Sequence, residues 1–118
     1  MSLKDKIVVI TGGGSGLGED AAKAAHAEGA KIVINGRSEA KLAKVAKAID
    51  PSGKSVAYLA GDIGEPDVAE RLIGAALKRF GGVDVLYNNA GIFGIKRLAD
   101  VTSADLHDYF KLMAGYFR

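Results

Sequence analysis

Short, unbroken apolar runs alternate along the chain with longer stretches in which apolar residues recur every three or four positions. Ile7-Val-Val-Ile10 is a β-branched run with no polar interruption, the pattern of a strand covered on both faces. Lys31-Ile-Val-Ile34, Ser55-Val-Ala-Tyr-Leu-Ala60 and Val83-Asp-Val-Leu-Tyr87 repeat it. Between the first two lies an alanine-rich helical stretch reaching Glu28, with Gly29 placed to stop it. Ser38 is placed to cap a second helix with the stripe Leu42, Val45, Ala46, Ile49, ended by Asp50-Pro51. Pro66 suits the first turn of a third helix, whose stripe is Val68, Ala69, Leu72, Ile73, Ala76, Leu77 and Phe80, closed by Gly81-Gly82. Thr102 and Asp105 offer a start for a last helix with the stripe Leu106, Tyr109, Phe110, Met113.

Strands that alternate with helices predict an α/β fold, because parallel neighbours need a crossover that a helix supplies. Right-handed crossovers reduce the strand order to 3-2-1-4, with helices on both faces of a Rossmann-type parallel sheet. The sheet is expected to be truncated after the helix that follows strand 4. Ligands belong beyond the carboxyl ends of the strands, at the switch point between strands 1 and 4.

Length and composition narrow the field without changing that picture. With 118 residues, 48% of them hydrophobic, the chain predicts a single domain over residues 1–118 with a real core. A net charge of +2 is too small to argue for nucleic acid, and Lys41, Lys44 and Lys47 read as a solvated stripe on an amphipathic helix. The absence of cysteine excludes disulfides and thiolate chemistry, and His26 and His107 stand apart, so no metal site is expected. No window is long and apolar enough for a membrane span, and the first residues lead straight into a strand. The chain is expected to be cytoplasmic, without membrane or nucleic-acid partners.

Candidate chemistry begins at Thr11-Gly-Gly-Gly-Ser-Gly-Leu-Gly18, between an apolar strand and a helix. Glycines there let the backbone approach an anion, and free N–H groups at the helix terminus point at it. A flexible connecting turn is the competing reading, but so many glycines in a mere connector would cost entropy to no purpose. The spacing Gly12-x-x-x-Gly16-x-Gly18 is neither that of a P-loop nor the G-x-G-x-x-G form. With Thr11, it resembles the cofactor fingerprint of the short-chain dehydrogenase/reductase family. Asn35-Gly-Arg-Ser38 after strand 2, Gly61-Asp-Ile63 after strand 3 and Asn88-Asn-Ala-Gly91 after strand 4 fit the same family in order and placement.

The resemblance implies a nicotinamide dinucleotide held by Gly12, Gly14, Ser15, Gly16, Leu17 and Gly18 at its pyrophosphate. It implies that Asp62 bonds the adenine amino group and that the backbone of Ile63 closes the ring edge. Asn89, Ala90 and Gly91 would line the ribose and brace the sheet. Taken alone, Asp62 would read as a turn or cap residue, and Asn-Gly-type sequences as plain turns. The cofactor is expected to be NADP(H), with NAD(H) as the alternative. A carboxylate ending strand 2 would grip a ribose 2′-OH, whereas here Gly36 stands at that place and Arg37 and Ser38 follow, a set suited to a 2′-phosphate.

The family's reaction is hydride transfer between carbonyl and alcohol, and its proton chemistry needs Tyr-x-x-x-Lys on one helix face. Four positions after Tyr58, Tyr87 and Tyr109 stand Asp62, Gly91 and Met113, and Tyr116 lies two residues from Arg118, so the pattern does not occur. Lys111-Leu-Met-Ala-Gly-Tyr-Phe117 also departs from the family's Val-Asn-Leu-x-Gly-x-Phe, with leucine in place of the asparagine. No catalytic residue is therefore assigned. The expectation is a short-chain oxidoreductase seen as its cofactor-binding half and unable by itself to transfer hydride. The alternatives are a non-catalytic NADP(H)-binding module and an assembly protein. A strand Val83–Tyr87 left at the sheet edge predicts a homo-oligomer formed through that edge or through the Tyr109/Phe110/Met113 helix face.

Overall fold

The computed structural model describes residues 3–14 and 16–88. Their elements run β1 (Ile7–Thr11), α1 (Gly16–Ala27), β2 (Lys31–Gly36), α2 (Glu39–Ile49), β3 (Val56–Ala60), α3 (Pro66–Phe80) and β4 (Val85–Asn88). All strand pairs are parallel, and the order is β3-β2-β1-β4, as the crossover rule predicts. The expected last helix, with Leu106, Tyr109, Phe110 and Met113, lies outside the described residues.

Each apolar run divides its side chains between two layers. Ile7 and Val9 of β1, Val33 of β2 and Leu86 of β4 face α3, where Ala69, Leu72, Ile73 and Ala76 meet them. Val8, Ile10, Ile32 and Ile34 point the other way, against Ala22 of α1 and Leu42, Val45 and Ala46 of α2. An unbroken hydrophobic run is thus two interleaved half-faces, since successive side chains in a strand alternate. Ile10, Ile32, Ile34, Leu72 and Ile73 are fully buried, each contributing about 1.5–3 kcal/mol of transfer free energy.

The helix ends follow their local sequences. Ser38 accepts a hydrogen bond from the Lys41 N–H at 3.3 Å and caps α2, as its position predicts. Pro66 opens α3, and the Gly81 N–H closes it on the Ala76 and Leu77 carbonyls. Leu77 departs from its expected place in the core stripe and is exposed on the rim of α3. At the amino-terminal ends of the strands, Asp50 accepts from the hydroxyls and backbone N–H groups of Ser52 and Ser55. Those bonds, the Ser52 hydroxyl first, hold its carboxyl well below the usual carboxylate range. The Ser55 Oγ also lies 2.8 Å from His26 Nε2, tying α1 to the turn before β3. This polar cluster occupies the end of the sheet away from the glycine loop.

Among the described residues, no helix is long and apolar enough to cross a membrane, and no group of three acidic or histidine side chains could hold a metal.

Candidate functional site

Parallel pairing brings the carboxyl ends of the strands to one side, and the register sets the loops side by side. Thr11 pairs with Asn35, and Asn35 and Gly36 pair with Leu59 and Ala60. The chain continues from these ends into the glycine loop, the Gly36–Ser38 turn and the Gly61–Ile63 turn. Backbone bonds stitch the loops together: Gly13 N–H donates to the Asn35 carbonyl, and Gly61 N–H to the Gly36 carbonyl, both at 2.8 Å.

Asn35 is the buried polar hub of this arrangement. It is 1% exposed, and its Nδ2 donates to the carbonyls of Leu59 at 2.9 Å and Gly61 at 3.2 Å. Aspartate is its isostere without a donor, so Asn35→Asp would set a buried carboxylate against two carbonyl oxygens. We expect Asn35→Asp to lose about 3 kcal/mol of stability. Urea denaturation checks this, and an unchanged midpoint would show that the carbonyls find other donors.

Glycine serves two different ends here. Gly16 has φ +62° and opens α1, and a Cβ built on it meets nothing within 4 Å. The space before the helix terminus is therefore open, with the exposed Leu17 beside it and Gly18 buried behind. At Gly36 the issue is room. A Cβ there would stand 3.2 Å from Leu42 Cδ2 and 3.7 Å from the Gly14 nitrogen, inside a cavity that glycine leaves free.

That cavity has a volume of about 290 Å³. Gly14 bounds it at the glycine loop, Asn35 to Ser38 and Lys41 on the side of β2 and α2, and Gly61, Asp62 and Ile63 after β3. Arg37 and Asp62 form an ion pair, Arg37 Nη2 to Asp62 Oδ2 at 3.4 Å. The second carboxylate oxygen of Asp62 accepts from the Gly64 N–H at 2.9 Å, so Asp62 is a turn residue and a cavity residue at once. Ile63 buries its side chain in the α3-facing layer. Two cations, one carboxylate, a serine hydroxyl and uncrowded backbone thus surround one space.

Of the residues expected from sequence, Gly14, Arg37, Ser38, Asp62 and Ile63 come together at this cavity. Gly12, Gly16, Leu17 and Gly18 lie on the adjoining loop and first turn of α1. Ser15, Asn89, Ala90 and Gly91 lie outside the described residues. Sequence reasoning does not single out Asn35, Gly36 as a space-making glycine, or Lys41 as a cavity wall. It also misses Gly13, where a Cβ would come within 2.6 Å of Ile34 Cβ, so the loop lies flat against β2.

The short chain dehydrogenase family profile matches residues 6–117. The chain belongs to the short-chain dehydrogenase family. It is 36% identical over 112 residues to the uncharacterized oxidoreductase YvrD of Bacillus subtilis (strain 168), covering 95% of this chain and 42% of that protein. Among solved structures it is similar to 3-ketoacyl-(acyl-carrier-protein) reductase from Brucella melitensis complexed with NADH. That match has 41% identity and a TM-score of 0.68, and covers 72% of this chain and 34% of that one. It is also similar to the C-domain of a bacterial malonyl-CoA reductase with NADP, at 30% identity and a TM-score of 0.71, covering 75% of this chain and 15% of that one. The chain spans about two fifths of the length of the curated relatives it matches.

Proposed function

We propose that this chain forms the cofactor-binding half of an oxidoreductase that uses NADP(H) to interconvert a carbonyl and an alcohol. The observation that carries the reading is the cavity between Arg37 and Asp62, which opens beside the glycine loop and has glycine where a ribose-gripping carboxylate would stand. The pyrophosphate lies along Gly12–Gly18, where the N–H groups at the start of α1 meet it. The adenosine end lies in the cavity, with Asp62 and the Ile63 backbone at the adenine edge and Arg37 and Ser38 at the 2′-phosphate. By the family resemblance, Asn89, Ala90 and Gly91 are assigned to the cofactor ribose. Once bound, the dinucleotide supplies or accepts the hydride.

The residues of this chain bind and orient the cofactor. These 118 residues hold no Tyr-x-x-x-Lys pair, and a second reading is an NADP(H)-binding module without turnover. Fluorescence titration with NADPH, followed by displacement with NADH, tests the binding. Saturable NADPH binding that NADH displaces only at much higher concentration supports the proposal. Failure of both to bind the folded chain rejects it. Addition of a carbonyl substrate panel to the NADPH complex separates the two readings, since only the first predicts oxidation of the cofactor when the remaining half is supplied.

We also propose that two copies associate through β4. Among the described residues nothing pairs with its outer edge, and Val85 and Tyr87 line an apolar cavity of about 160 Å³ with Leu3, Val8 and Ile10. An open edge beside apolar surface favours pairing with another chain. Sedimentation is expected to give a dimer that Val85→Lys dissociates, and a monomer at all concentrations would contradict it. The last-helix face is the other candidate surface, outside the described residues.

A further inference from the structure

Lys41 stands where two cavities meet. It lines the Arg37–Asp62 cavity and also a second one, of about 310 Å³, between α1 and α2, and Gly14 is the other residue common to both. Its backbone is fixed there, because the Ser38 cap takes the Lys41 N–H and so sets the first turn of α2 against the cavity. The charges around it leave its ammonium available. Glu19, the carboxylate lining the second cavity, is paired to Lys23 at 3.1 Å, and Glu39 is exposed in the first turn of α2. Lys41 itself has no ion pair among the described residues.

Arg37 is in a different state, since its guanidinium already meets Asp62. A dianionic phosphate entering this cavity must share Arg37 with Asp62 and must also face the Asp62 carboxylate. One guanidinium cannot neutralise both partners. We propose that Lys41 is a specificity-determining residue, the second cation that holds the 2′-phosphate from the α2 wall while Arg37 stays bridged to Asp62. Lysine suits that role, because a compact charge on a flexible stem reaches a phosphate from a helix turn without a fixed approach. Phosphate recognition is then divided between a residue held by the ion pair and a residue free to move, and Lys44, on the wall of the second cavity, adds to the positive field.

The inference rests on the proposed reading that this cavity takes the adenosine end of the cofactor. The test therefore uses adenosine 2′,5′-bisphosphate and 5′-AMP, which differ only in the 2′-phosphate, titrated calorimetrically into the wild-type chain and into Lys41→Gln and Lys41→Arg. Lys41→Gln is expected to weaken the bisphosphate about tenfold and leave 5′-AMP within about twofold, with Lys41→Arg restoring most of the loss. The bisphosphate effect should shrink as salt is raised, because the lost contact is between exposed charges. Unchanged bisphosphate binding in Lys41→Gln overturns the assignment of Lys41 alone. Failure of either nucleotide to bind the wild-type chain overturns the underlying reading and the inference with it.

Discussion

Replacing Gly16 with valine is expected to weaken both NADPH and NADH by at least about a hundredfold while leaving the sheet folded. The two halves of that expectation have separate causes. Gly16 sits at φ +62°, so a β-branched residue costs about 1–3 kcal/mol of backbone strain. That is small against the two packed layers that hold β1, and a Cβ at Gly16 meets no protein atom within 4 Å. On the proposed reading, the same open space takes the pyrophosphate at the amino terminus of α1. A branched side chain there displaces the anion from the N–H groups that would bind it. Thermal unfolding should therefore show a modest drop in midpoint, and titration should show near-complete loss of binding. Retained binding within a few-fold would place the pyrophosphate elsewhere.

Arg37→Ala should act on one cofactor only. Its side chain is 83% exposed and that of its Asp62 partner 46%, so the ion pair between them adds about 0.2–1 kcal/mol at most. Removing it costs the fold little. A hydrogen-bonded charge on a 2′-phosphate contributes more, about 1.5–3 kcal/mol, which corresponds to a loss of roughly 10- to 150-fold in NADPH affinity. NADH lacks that phosphate and should change by less than about threefold. Competition titrations of the two cofactors give the ratio directly. Equal losses for both would mean that Arg37 supports the cavity without reading the phosphate.

Much of the architecture is legible in the sequence because a buried parallel sheet leaves a strong trace there. Ile7-Val-Val-Ile10 suits neither a solvated strand nor a surface helix, and the glycine loop that follows stands out as the proposed point of ligand approach. Legibility ends where polar residues support the fold across long separations. The apolar run of strand 2 stops at Ile34, yet β2 continues to Gly36, because Asn35 spends its amide on the Leu59 and Gly61 carbonyls and so behaves as an interior residue. No local pattern announces that. The bond between His26 and Ser55, 29 residues apart, is hidden for the same reason. Leu77 fits the spacing of the α3 stripe but lies at its margin, where helix rotation carries it out to solvent.

The candidate site shows the same division. Arg37 and Asp62 are each identifiable from their place after a strand, but their pairing belongs to tertiary structure, since β2 and β3 must first lie side by side. By spacing alone, Lys41, Lys44 and Lys47 form one solvated stripe. The fold separates them: Lys41 and Lys44 face the groove between α1 and α2, and Lys47 lines another cavity with Asp50 and Tyr58.

On the proposed reading, the glycine loop and the Arg37–Asp62 cavity form one continuous dinucleotide site. Amide chemical-shift mapping of the chain during titration with NADPH tests it most directly. Saturable shifts are expected at Gly12–Gly18, Gly36–Lys41 and Gly61–Ile63, with the Asp50–Ser55 turn at the far end of the sheet unmoved. Shifts centred on that turn, or on the groove of Lys23 and Lys44 without the glycine loop, would contradict it.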